Sequence, residues 1–139
     1  MVKINISMFR YFDYVFYRVH SYYINKKDDI PILHSLGFLW ILQVIIAAVI
    51  FGIVDKFTNG AMTSSDSVKT KAYISLGIFY VLFLVFDLIR YLNNKYYQSL
   101  PELFANSSLN GKVKTWMIFI QPVLLIISTI TFLILTKHH

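Results

Sequence analysis

Three long stretches of this chain are free of charge, and they limit its fold more than any other feature. Ile32 to Val54 is a run of 23 residues without a formal charge. A helix of that length crosses a hydrocarbon layer about 30 Å thick with some tilt. Asp28 and Asp29 precede the run, Asp55 and Lys56 end it, and Pro31 stands where a first helical residue needs no N–H. Thr115 to Thr136 forms another such run, with Trp116 at one boundary and Lys137 at the other, both suited to an interface. Pro122 lies inside it and removes one backbone donor, so a kink is expected at Gln121 and Pro122.

The remaining stretch, Ala72 to Phe86, has only 15 uncharged residues, fewer than the roughly 20 a crossing needs. A helix over 72–92 reaches that length and places Asp87 and Arg90 at the membrane edge. Their i, i+3 spacing suits an ion pair, and snorkelling relieves most of the cost of charge there. The helical pattern can continue to Ser99, ahead of Pro101. The fold class expected is therefore an all-α integral membrane protein of one domain, with transmembrane helices at 32–54, 72–92 and 115–136. Composition agrees, since 14% of residues are charged against about 25% in soluble domains.

Residues 7–24 read as an amphipathic helix. Met8, Phe9, Tyr11, Phe12, Val15, Phe16, Val19, Tyr22 and Tyr23 fall on one arc at 3.6-residue spacing. Arg10, Asp13, Tyr14, Tyr17, Arg18, His20 and Ser21 fall on the other. Aromatic residues on one face and charge on the other suit a helix lying in the headgroup plane. Packing of the same stripe on the spans or on a partner is the competing arrangement.

Orientation follows the basic residues near the spans. The N-terminal segment and the second loop carry nine Lys and Arg, while the first loop and the C-terminus carry four. The bias predicts a multi-pass protein of a cytoplasmic membrane with its N-terminus inside and its C-terminus outside. No cleaved leader is expected, because the N-terminal thirty residues are aromatic and interspersed with charge.

Few residues suggest chemistry. The chain has no cysteine, which removes disulfides, thiolate metal sites and thiol nucleophiles. No Ser-His-Asp, HExxH or glycine-rich phosphate loop occurs, so no catalytic site, cofactor or metal is expected. His34 has no second ligand at helical spacing, and His138 and His139 carry no functional weight. The net charge of +6 flanks apolar runs instead of covering one solvated face, which argues for lipid headgroups as partners and against nucleic acid. Gln43 is suited to bonding between helices. Ala48 and Gly52, with Gly37 and Gly77, would let helix backbones approach closely.

These features lead to an expected non-enzymatic role: an accessory or assembly subunit of a larger membrane complex. A self-associating pore-forming or membrane-disrupting effector comes second, and a lipid-interacting protein third. The Ile-, Lys-, Asn- and Tyr-rich sequence is similar to those of small bacterial membrane proteins, a resemblance that implies no activity.

Overall fold

The computed structural model describes residues 7–137, which are all-helical with short links and contain no strand. Six helices follow one another: α1 Ser7–Asn25, α2 Pro31–Phe57, α3 Asp66–Leu92, α4 Asn94–Phe104, α5 Leu109–Lys112 and α6 Thr115–Lys137. α2, α3 and α6 are long and apolar enough to cross a membrane. At 1.5 Å per residue, the 27 residues of α2 extend about 40 Å, longer than a hydrocarbon layer of about 30 Å is thick.

Local chemistry sets the helix ends. Pro31 opens α2, as its fixed φ and missing N–H allow. Asn59 and Gly60 turn the chain with positive φ values of 55° and 74°. Asp55 closes that turn, accepting from the Met62 N–H at 3.1 Å and the Thr63 hydroxyl at 2.9 Å. The Ser65 side chain accepts from the Val68 N–H and caps α3. α3 thus begins six residues before the expected 72, because Lys69 and Lys71 shorten the apolar run without opposing helix formation.

α3 also ends sooner than a helix running to Ser99. Asn93 is extended, and its side chain accepts from the Lys95 N–H to begin α4. Pro101 does not break the chain there but sits inside α4. α6 likewise runs unbroken through Pro122, which is buried.

The core lies toward one end of the three long helices. It joins Phe12, Val15, Phe16 and Val19 of α1 to Leu36, Leu39 and Leu42 of α2, Tyr91 of α3, Leu100 and Phe104 of α4, and Ile118 of α6. This corrects the expectation that the α1 stripe rests on lipid: Phe16 and Val19 are 0% exposed, covered by the protein's own helices. Phe9 and Tyr23 are half-buried and Tyr22 is exposed, while the Met8 side chain lies outside the described residues. The polar arc is no solvated face either, since Asp13, Tyr14 and His20 are also buried. Residues 12–16 are buried without interruption, and five helical residues at 100° each go all the way round. α1 is enclosed.

Burial within the long helices is one-sided. In α2 it is confined to Ser35, Leu36, Leu39, Leu42 and Gln43, in α3 to Asp87 and Tyr91, and in α6 to Ile118 and Pro122. The far halves of all three have no buried residue.

Candidate functional site

The enclosed polar residues of α1 meet the C-terminal end of α3 and the start of α4. Asp13 is the hub. Arg90 Nη2 donates to Asp13 Oδ2 at 2.6 Å, and the Tyr91 hydroxyl donates to Oδ1 at 2.8 Å. The Tyr96 hydroxyl donates to Oδ2 as well, and itself accepts from Arg90. Burial and the bond to Asp13 push the Tyr96 phenol well above its ordinary value, so it remains a donor.

Aromatic rings complete the setting. The Arg90 guanidinium carbon lies 4.8 Å from the Tyr96 ring centre, 5.1 Å from that of Phe9, 5.8 Å from Phe86 and 5.9 Å from Tyr91. A cation held by one carboxylate and four ring faces is restrained in both charge and shape.

This arrangement corrects the expected pairing of Asp87 with Arg90. Arg90 turns to Asp13, and Asp87 faces the Gln43 amide of α2 instead. Gln43 is the thirteenth of 27 residues in α2, so Asp87 packs against the middle of that helix rather than at its edge. Asp87 is 3% and Gln43 6% exposed. Among the described residues, Asp87 Oδ2, both Gln43 amide atoms and Trp40 Nε1 are buried with no hydrogen-bond partner. Nearby, the Tyr80 hydroxyl donates to the Trp40 carbonyl at 3.2 Å.

Gln43 is therefore central, although it is not bonded as expected of a residue that ties helices together. The glycines behave differently again. Among the described residues, a Cβ added at Gly37, Gly52 or Gly77 would meet no other helix or side chain within 4 Å, and Ala48 is exposed. None of them marks a close helix approach among those residues.

Two further clusters hold α1 in place. Arg18 donates to the Tyr14 hydroxyl at 2.7 Å, to Asn110 Oδ1 at 3.3 Å and to the Thr115 hydroxyl at 3.3 Å. Those bonds link α1 to α5 and to the first residue of α6. The Tyr11 hydroxyl donates to Gln121 Oε1 at 2.5 Å, giving Gln121 a role beside the proline. At the other end of α1, the Asp28 carboxylate accepts from the Ile30 N–H at 3.0 Å and approaches His34 Nδ1 at 2.5 Å. These two bonds, the backbone one first, hold the Asp28 carboxyl below the usual carboxylate range. Asp28 thus orders the approach to α2.

His20 lies 2.8 Å from the Tyr97 hydroxyl through Nε2, with its ring stacked on Phe16. Burial pushes the imidazole down from its ordinary value. A base held down in this way takes up its proton more readily once the chain unfolds. Its stabilising contribution is full above the unfolded value of about 6.5 and declines as pH falls below it. Melting in detergent should be level near pH 7–8 and occur at lower temperature near pH 5, and H20Q should flatten that dependence. Equal slopes for the two proteins would show that His20 does not carry it.

Comparison with protein families, curated proteins and solved structures finds no match. No group of three or more His, Asp or Glu suited to a metal occurs among the described residues. The Asp13 hub is closed and saturated with donors, which makes it a clamp between helices. Asp13, Tyr91, Tyr96, Arg18 and Tyr97 were not foreseen as partners, although Asp13 in the middle of an aromatic helix was the available signal.

Proposed function

We propose that the chain is a small accessory or assembly subunit of a larger membrane complex, acting through helix packing and without catalysis of its own. One-sided burial supports this reading most strongly. α1 and α4 brace one end of α2, α3 and α6, while the other halves have no buried residue. Apolar surface alone is content in lipid. That half also carries Ala48, Gly52 and Gly77, and among the described residues no other helix or side chain lies within 4 Å of where Gly52 or Gly77 would bear a Cβ. Such notches let the backbone of another helix come close.

The membrane is the cytoplasmic membrane of a bacterial cell. Arg10, Arg18, Arg90, Lys95, Lys112 and Lys114 gather toward the braced end. The positive-inside rule puts that end in the cytoplasm and the C-terminus outside.

Extraction of native membranes in mild detergent tests the reading: the chain should copurify with other membrane subunits at a defined stoichiometry. Migration as a lone monomer would overturn it, and a ring of identical copies would favour a pore instead. The second measurement uses Gly52→Leu. Gly is poorer than Leu in a helix by up to about 1 kcal/mol, and the site is open, so the variant should melt no lower than wild type. Recovery of the complex should nevertheless drop. Unchanged recovery would remove Gly52 from the interface.

A further inference from the structure

A cavity of about 530 Å³ opens between the start of α1 and the end of α4. We propose that it holds the headgroup of an anionic phospholipid. The proposal is independent of the accessory-subunit reading, since it concerns the braced end and requires no protein partner.

The lining is mixed in chemistry. Arg10, Asn106 and Ser108 contribute polar groups to it, and Tyr11, Leu103 and Phe104 contribute apolar surface. Each charged residue of the neighbouring clamps has its partner: Asp13 is held by Arg90, and Arg18 is bonded to Tyr14 and Asn110. Arg10 forms no ion pair or hydrogen bond among the described residues, and the Asn106 and Ser108 side chains form no hydrogen bond among them either. No carboxylate lines the cavity among the described residues. A guanidinium with free donors beside a hydroxyl and an amide matches a phosphodiester, which accepts several charge-assisted hydrogen bonds at once. The apolar part of the lining matches the glycerol backbone and the first carbons of the acyl chains.

Depth selects lipid over a soluble phosphate. Tyr11, on the cavity wall, bonds to Gln121 in the second turn of α6. Trp116, in the first turn, is 58% exposed, as a residue at the headgroup level would be. The cavity therefore stands at the height of the first two turns of a spanning helix, where phosphate groups lie. Its volume is within the range of about 300–1,000 Å³ usual for ligand sites.

Native mass spectrometry of the full chain in detergent, titrated with short-chain phosphatidylglycerol, tests the assignment. One retained lipid is expected, bound about tenfold or more tightly by wild type than by Arg10→Gln, the effect of losing a charge-assisted bond. Ser108→Trp, which fills the cavity without altering charge, should reduce retention similarly. Phosphatidylcholine of the same chain length should bind more weakly, and glycerol 3-phosphate should not displace the lipid. Equal retention by wild type and both variants would overturn the proposal. Displacement by glycerol 3-phosphate would overturn the lipid assignment, leaving a soluble-anion site.

Discussion

Asp13→Ala should lower the stability of the folded chain by about 3–5 kcal/mol, the cost of removing one partner from a buried ion pair. The Arg90 and Asp13 side chains are 18% and 9% exposed, so solvent has little opportunity to replace the lost carboxylate. Three donors lose their acceptor together: Arg90, Tyr91 and Tyr96. Asp13→Asn should be milder, because an amide oxygen still accepts from a tyrosine while leaving Arg90 without its counter-charge. Asp13→Leu combined with Arg90→Met should recover part of the loss, since neither charge is then buried alone, but two phenols remain unsatisfied. Equilibrium unfolding in mixed detergent micelles provides the measurement. An Asp13→Ala protein within about 1 kcal/mol of wild type would mean that the clamp behaves as a surface pair.

The three long helices could be read from the sequence because hydrocarbon demands one simple property, a long run without charge. Their ends were less legible. Lys69 and Lys71 interrupt the apolar run but lie in the early turns of α3, because lysine is a good helix former even where it ends an apolar stretch. Asn93 stopped α3 by taking an extended conformation and capping α4, a choice that hydropathy does not record.

The clamp was not legible for a different reason. Asp13 and Arg90 are 77 residues apart, whereas helical spacing compares only neighbours and therefore selected Asp87. Two faces of α1 could be distinguished, but not what covers each one. Tyr14, Tyr17 and His20 combine an apolar body with a polar tip, so an arc rich in them suits a protein interior as well as water. Gln43 stands out in the sequence as a polar residue deep in an apolar run. Its encounter with Asp87 depends on how α3 returns beside α2, which periodicity within either helix leaves open.

Truncation of Phe16 distinguishes an enclosed α1 from one lying in the headgroups. Its side chain is 0% exposed, and its ring stacks on Tyr91 with centres 4.2 Å apart and planes 18° from parallel. Phe-to-Ala changes in soluble cores cost about 3–5 kcal/mol, combining lost transfer energy with the cavity left behind. An undocked α1 would settle at the lipid boundary instead of in water, so part of the transfer energy would be retained. Phe16→Ala is therefore expected at the lower end, about 3 kcal/mol, in the same unfolding titration. Tyr22, which is 36% exposed on the same arc, provides the comparison, and Tyr22→Ala should cost about 1 kcal/mol or less. If α1 instead rested on lipid, neither truncation would alter unfolding of the spans, and the two variants would unfold together with wild type. A large effect at Phe16 with a small one at Tyr22 requires that α1 be docked on the protein's other helices, and the braced end with its clamp and cavity depends on that docking.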